Sequence, residues 1–217
     1  MSTRRLPTLV LGMGLVFAPL LQAQAQAQAP QDELFSLRSR WEHTTTAMPE
    51  ARRVDALASL AAEAKTLAES HPESTEASVW RGIILASLAR ESGGLDALGA
   101  AKEARRVLES ALERDPRGLQ GSAYVTLGAL YDRAPGWPVA FGDEETAERM
   151  FRRAEAIRPD GIDVHLYYAA FLEDEGRDAE ALAHARRAAE GVARQGREAS
   201  DAALRDEARA MVARLEE

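Results

Sequence analysis

Histidine serves proteins both as a metal ligand and as a general base, and this chain has four: His43, His71, His165 and His184. No two of them are separated by the three or four residues that place two imidazoles on one face of a helix as metal ligands. His165 and His184 fall on two helices that are predicted to pair, so their rings can approach each other. The spacing nevertheless favours solvated or core-edge histidines, and it predicts no metal site.

Acidic residues form short runs, and two carboxyl groups facing each other across a cleft can hydrolyse a glycosidic bond. The runs are Glu144-Glu145, Glu173-Asp174-Glu175 and Asp206-Glu207. Arginines are interleaved with the acids, as at Glu148-Arg149, which is typical of a solvated helix face. A hydrolase that uses buried carboxylates is therefore only a remote alternative.

Other catalytic patterns are missing from the sequence. It has no G-x-S-x-G elbow around a serine, no HExxH pair and no phosphate-binding glycine motif. It also has no cysteine, which excludes disulfides, thiolate metal sites and a thiol nucleophile. We expect a protein that is not an enzyme and that needs no cofactor.

The segment from Pro135 to Asp143 is the best candidate for a binding site. Two prolines and two glycines exclude regular helix there. Trp137 and Phe141 are predicted to form the aromatic lip of a groove, because aromatic residues on a restrained loop bind apolar or peptide ligands at little entropic cost. Arg133 and Asp143 are the predicted polar anchors. The alternative is that both rings fold back as a plug over the helix ends.

A series of aromatic residues is predicted to lie on the inner helices: Trp80, Tyr124, Tyr131, Tyr167, Tyr168 and Phe171. Core packing is the default role for such a series. A ligand groove is the alternative, and Trp80, Tyr131 and Tyr168 are its candidate residues.

Nearly all of the chain after its first 30 residues is predicted to be helical, since Ala, Leu, Glu and Arg dominate it. Prolines and glycines separate the predicted helices, which cover 31–46, 50–70, 74–91, 95–114, 119–133, 144–157, 162–175, 178–194 and 199–215. Small residues recur where consecutive helices pair. We expect Gly82, Gly128 and Ala169 to face Ala104, Ala147 and Ala181 respectively, so that each pair of helices packs closely.

This spacing is typical of a repeat of about 34 residues with two helices per repeat. Together with Trp80-Arg81-Gly82, Leu127-Gly128-Ala129-Leu130-Tyr131 and Pro135-Gly136-Trp137-Pro138, it resembles exported tetratricopeptide (TPR) repeat proteins of proteobacteria. The helical layout is more loosely similar to the T-component of TRAP transporters. The resemblance implies an all-α, TPR-like superhelix of helical hairpins, with about three repeats plus flanking helices, and it supplies no catalytic residues.

The beginning of the chain has the features of a cleavable export signal. Arg4-Arg5 precedes an apolar run from Leu6 to Leu21, which is short for a membrane span. Ala25, Ala27 and Ala29 are alternative cleavage positions. We therefore predict a signal peptide at 1–25, a linker and helix at 26–48 and a repeat domain at 49–217. The predicted location is the periplasm, with no stable membrane anchor after cleavage.

Charge narrows the choice of partners. The net charge of the 217 residues is −8, and loss of Arg4 and Arg5 leaves 25 basic and 35 acidic residues, or −10. Nucleic acids require a cationic surface and are therefore not expected as ligands. We expect a binding and scaffolding module that captures a peptide, a protein partner or an amphiphile on its concave face. The alternative is an accessory of solute uptake that binds small hydrophobic solutes.

Overall fold

The computed structural model describes residues 18–217, with side chains from residue 31 onward. The described helices are α1 (Ala18–Thr46), α2 (Arg53–Ser70), α3 (Thr75–Glu91), α4 (Gly94–Arg114), α5 (Ser122–Arg133), α6 (Glu144–Ile157), α7 (Ile162–Asp174), α8 (Asp178–Glu190) and α9 (Glu198–Leu215), with a 3₁₀ turn at Glu50–Arg52. No strand occurs in this part of the chain. The expected all-α fold is confirmed.

Residues 1–17 of the predicted signal peptide lie outside the described residues. The first described helix, α1, continues through all three predicted cleavage positions. Its first described buried side chain, Leu34, lies beyond them. Across residues 18–217, no helix is both long enough and apolar enough to cross a membrane.

Three helical hairpins, α3–α4, α5–α6 and α7–α8, form the body of the protein. Helix α2 packs between α1 and α3, and α9 packs against both helices of the last hairpin. The predicted three repeats with flanking helices are therefore present. Helix α9 buries Ala208 and Met211 against this hairpin.

Within each of the first two hairpins a glycine receives a side chain of the partner helix. A Cβ atom at Gly128 would lie 2.7 Å from the ring of Phe151, and Gly82 is similarly covered by Leu108. These partners lie one helical turn beyond Ala147 and Ala104, the alanines predicted to face the glycines, and both alanines are fully buried. The glycines thus accommodate large side chains, and the buried alanines pack beside them.

Helix α1 begins at Ala18 rather than 31, and α2 begins at Arg53 rather than 50, after the 3₁₀ turn. Two further helix boundaries differ from the prediction for reasons of backbone conformation. Helix α5 begins at Ser122 rather than 119, because positions 118–121 all have positive φ angles and cannot continue a right-handed helix. Helix α8 ends at Glu190 rather than 194. The connection that follows it is held by Arg194, which bridges buried carboxylates of α7 and α9.

The inner helices close on themselves. Helices α1, α3, α5, α7 and α9 contact one another in that order, and α1 also contacts α9. At this last contact, the backbone amide of Ser200 donates a 2.8 Å hydrogen bond to the Glu42 carboxylate, and the Arg197 guanidinium carbon lies 4.7 Å from the Trp41 ring centroid. The predicted concave surface is therefore enclosed by a circuit of five helices.

Candidate ligand-binding cavity

A cavity of about 740 Å³ lies inside the circuit of inner helices. Its walls come from α1, α3, α5, α7 and α9, together with the beginning of α4 and the loop before α6. A volume of this size falls in the range of about 300–1,000 Å³ that is usual for small-molecule sites.

Alanines create much of this space. Seven of them line the cavity, at positions where leucines would fill it: Ala86, Ala89, Ala97, Ala101, Ala129, Ala134 and Ala203. Larger apolar side chains complete the walls, among them Trp41, Ile83 and Leu204. Leu95 and Val139 also line the cavity although they are 85% and 60% exposed, so they mark an apolar entrance. The walls favour a ligand with a substantial apolar part.

Arg197 introduces a positive charge into this apolar space. It lies in the connection just before α9, with its guanidinium carbon 4.7 Å from the Trp41 ring centroid and 5.3 Å from that of Trp80. Its Nε donates a 3.0 Å hydrogen bond to the Ser200 hydroxyl. No carboxylate among the described residues lies within 4.0 Å of its guanidinium nitrogens, so this half-buried charge has no ion-pair partner there.

The carboxylates nearest to Arg197 are engaged elsewhere. Arg194 bonds Asp163 at 2.9 Å and Asp201 at 2.6 Å, and Arg158 bonds Asp163 at 2.6 Å. Burial and the positive charge of Arg194 lower the pKa of Arg197 to about 10, so its guanidinium is still protonated at neutral pH. A half-buried cation without an ion-pair partner among the described residues is costly, and an anionic ligand group would relieve that cost.

The remaining charged groups of the cavity also favour an anion. Its charged lining consists of three arginines and two acids: Arg90, Arg133, Arg197, Asp163 and Glu207. One of the acids, Asp163, is already neutralised by two arginines outside this set. Arg90 is likewise paired, with Glu91 at 3.3 Å. Arg133 and Arg197 then face Glu207, so the lining keeps a net positive charge in a chain whose net charge is −8.

The loop from Pro135 to Asp143 borders the cavity through residues other than its aromatic ones. Pro135 and Val139 line the space, whereas Trp137 is 89% exposed. Phe141 folds back onto Tyr131, with ring centroids 5.5 Å apart. The two aromatic rings thus have different environments, and only Phe141 is packed as a plug.

The two polar candidates of the loop region, Arg133 and Asp143, also have different roles. Arg133 lines the cavity, and its guanidinium carbon lies 5.7 Å from the Tyr167 ring centroid. Asp143 caps α6 by accepting a 2.8 Å hydrogen bond from the Thr146 amide. Hydrogen bonding to Thr146 lowers the pKa of the exposed Asp143 carboxyl. Its role in the fold is that of a helix cap.

The three aromatic candidates outside the loop do not line the cavity. Trp80 is buried and meets the edge of Trp41 at 5.5 Å between centroids. Tyr131 donates a 2.6 Å hydrogen bond to Glu109, and burial together with this carboxylate raises its pKa to about 12. Tyr168 is buried and stacks on Phe151 at 5.5 Å. Of the seven predicted site residues, only Arg133 is part of the cavity lining.

Trp41 and Arg197 are the important cavity residues that the sequence did not indicate. Trp41 carries a sequence pattern that would have revealed it, since Leu34, Leu37 and Trp41 recur at helical spacing and form the buried face of α1. Arg197 has no such pattern. Its position depends on the contact between α1 and α9, which no local feature predicts.

No family model matches the chain, and no curated protein matches it significantly. Among solved structures, it is similar to a thermophilic TPR protein from Thermus thermophilus. The TM-score is 0.51, the two sequences are 24% identical, and the similarity covers 86% of this chain and 81% of that protein. This likeness shows the fold: the predicted TPR-like arrangement of helical hairpins is confirmed.

Proposed function

We propose that this protein is a binding module that captures a small amphiphile with an anionic end group in its central cavity. The observation that carries the proposal is the environment of Arg197, a half-buried cation without an ion-pair partner among the described residues, at the wall of a largely apolar cavity. The anionic group would bond the guanidinium, and the apolar part would lie along the alanine-rich walls. A monocarboxylate with a long alkyl chain has both features.

The closed circuit of inner helices favours a small ligand over a protein segment. TPR-like folds commonly present a concave face to protein partners. Here α9 and α1 meet across that face through Ser200 and Glu42. This contact narrows the room for an extended peptide, whereas a ligand of moderate size fits the 740 Å³ that the inner helices surround. Peptide capture is therefore an outcome that the binding experiment has to exclude.

The proposed setting is the cell envelope. Support comes from the leader, with Arg4-Arg5 before an apolar run and small residues at Ala25, Ala27 and Ala29. A module that holds an amphiphile in this compartment would be suited to deliver it to a transport system. The enclosed cavity favours such a solute-binding accessory over a scaffold that assembles proteins.

The test compares ligands that differ only in their end group. Dodecanoate, dodecanol and dodecyltrimethylammonium are titrated into the protein. Binding is followed by calorimetry and by tryptophan fluorescence, to which Trp41 in the cavity wall contributes. Hydrogen bonds to charged groups contribute about 1.5–3 kcal/mol, so dodecanoate should bind about 10- to 100-fold more tightly than dodecanol. The ammonium compound should bind least.

Two arginine variants make the experiment specific. Arg197→Met keeps the packing of the long side chain but removes its charge, and should abolish the preference for dodecanoate over dodecanol. Arg153→Met is the matched control, because Arg153 is exposed on α6 and is not part of the cavity. Equal affinities for all three ligands in the unmodified protein would refute the proposal. So would tight binding of unrelated peptides together with no binding of dodecanoate.

A further inference from the structure

A second site lies outside the cavity, where the last two hairpins meet. Glu155 of α6, His165 of α7 and His184 of α8 each place one potential metal-ligand atom within 4.8 Å of the other two. His165 is fully buried, and the other two are half-buried. None of the three lines the cavity, so the site is independent of the proposed amphiphile.

The two imidazoles face each other through the same ring nitrogen. The Nδ1 atoms of His165 and His184 are 2.8 Å apart, so at most one of them carries a hydrogen between the rings. The Nε2 atom of His165 contacts the backbone carbonyl of Pro159. Because a carbonyl only accepts, Nε2 bears the proton of a neutral His165, and its Nδ1 presents a lone pair to His184.

This hydrogen-bond pattern is the usual one for a metal-binding histidine. Such residues donate the second ring N–H to a carbonyl or carboxylate, which sets the tautomer and directs the lone pair at the metal. His184 is held by a neighbouring ring, with its centroid 4.5 Å from that of Tyr168. Glu155 receives a 3.2 Å bond from Arg187 on Oε1 only, which leaves its other oxygen for a ligand.

We propose that Glu155, His165 and His184 bind one divalent transition-metal ion, for which Zn²⁺ is the best match. Two neutral imidazoles and one carboxylate are common zinc ligands, and a fourth position would be left for water. Tetrahedral Zn–N bonds of about 2.05 Å place two ligand nitrogens about 3.3 Å apart. The two Nδ1 atoms, now at 2.8 Å, would therefore have to separate by about 0.5 Å. The proton that His184 Nδ1 now donates to His165 would have to move to Nε2 of His184, so that both Nδ1 lone pairs face the ion. The bound ion would tie α6 to the α7–α8 hairpin.

The experiment uses the untagged chain stripped with EDTA. Zn²⁺ is titrated by calorimetry, and Co²⁺ serves as a spectroscopic substitute. We expect one ion per chain, visible Co²⁺ absorption bands from nitrogen coordination at low coordination number, and a melting temperature that rises with Zn²⁺ concentration. A protein that takes up no stoichiometric Zn²⁺ overturns the proposal and leaves a simple hydrogen bond between the two histidines.

Single substitutions identify which side chains bind the metal ion. Replacement of the fully buried His165 endangers the fold, so the half-buried His184→Gln and Glu155→Gln carry the test. His184→Gln should weaken Zn²⁺ binding at least tenfold, and Glu155→Gln should weaken it and change the Co²⁺ spectrum. His43→Gln is the matched control, because His43 is exposed on α1, and it should bind Zn²⁺ like the unmodified chain. Binding that survives His184→Gln, or is lost in His43→Gln, contradicts the assignment.

Discussion

The backbone amide of Ser200 and the carboxylate of Glu42 are joined by a 2.8 Å hydrogen bond between residues 158 positions apart in the sequence. This bond connects the beginning of α9 to α1 and helps to close the circuit of inner helices. A repeat stack held only by neighbouring contacts would have no such long-range link. The contact of Arg197 with Trp41 joins the same two helices.

Removing this bond should loosen α1. In Glu42→Ala the Ser200 amide loses its acceptor, which should cost about 1.5–3 kcal/mol of unfolding free energy for a hydrogen bond to a charged group. Glu42→Gln keeps an acceptor oxygen and should lose less. Urea unfolding gives the free energies, and hydrogen exchange over residues 34–46 reports local opening. Unchanged exchange of α1 in Glu42→Ala would mean that other contacts close the circuit.

The size of the cavity is set by small side chains, and enlarging one of them should block ligand binding. Ala129 lines the cavity and is partly buried on α5. Ala129→Leu adds apolar volume to the space, so it should weaken dodecanoate binding at least tenfold while leaving the melting temperature equal or higher. Ala58→Leu, at an exposed position on α2, is the control and should bind normally. Full binding by Ala129→Leu would show that the ligand lies elsewhere.

The buried ion pairs at Asp163 should make the stability depend on acid pH. Burial raises the pKa of the Asp163 carboxyl, but the charges of Arg194 and Arg158 outweigh burial and hold it below the ordinary value. On acidification the unfolded chain therefore takes up this proton first, and the stability conferred by the carboxylate falls as the pH drops below about 5. It is fully present at neutral pH.

Asp163→Asn tests this contribution. The variant leaves Arg158 and Arg194 with less compensation, which should cost about 3 kcal/mol at roughly pH 7. It should also lose less stability than the unmodified protein between about pH 5 and about pH 3, because the titrating group is absent. Urea unfolding across this pH range measures both effects. Parallel pH profiles for the two proteins would show that the stability does not depend on this carboxylate.

The sequence predicted the helices and hairpins well, but it did not predict that the inner helices close into a circuit. Prolines, glycines and caps act over a few residues, so the hairpins appear close to where they were expected. The sequence did not indicate that Leu108 and Phe151 cover Gly82 and Gly128, because repeat spacing does not specify which large side chain packs on a glycine. Arg197 is a candidate only because α1 contacts α9. The sequence did not indicate it, because a contact between distant segments produces no periodic pattern of residues.

Gly128 and Gly99 should respond in opposite ways to alanine. A Cβ at Gly128 would lie 2.7 Å from the Phe151 ring, so Gly128→Ala should push the hairpin apart and cost about 1–3 kcal/mol. No atom outside the local backbone lies within 4 Å of a Cβ at Gly99. Gly99→Ala, at an exposed position of α4, should therefore stabilise by up to about 1 kcal/mol through helix propensity. Thermal unfolding compares the two variants. A Gly128→Ala variant more stable than the unmodified protein would contradict the close contact between Gly128 and Phe151.

The two aromatic residues of the 135–143 loop should also differ in their contribution to stability. Phe141 packs on Tyr131, and the Arg105 guanidinium carbon lies 4.5 Å from its ring centroid, so Phe141→Ala should cost about 1–2 kcal/mol of stability. Trp137 is 89% exposed, and Trp137→Ala should change stability by no more than about 0.5 kcal/mol.

Ligand binding distinguishes the two roles that the loop can have. Neither ring lines the cavity, so Trp137→Ala should bind dodecanoate with unchanged affinity, measured by calorimetry because a tryptophan is lost. If Trp137→Ala instead weakened binding at least tenfold at a constant melting temperature, the exposed ring would have to close over the bound ligand. The loop would then act as a lip through Trp137 and as a plug through Phe141, because a contact that forms only after the ligand enters affects binding without affecting the stability of the free protein.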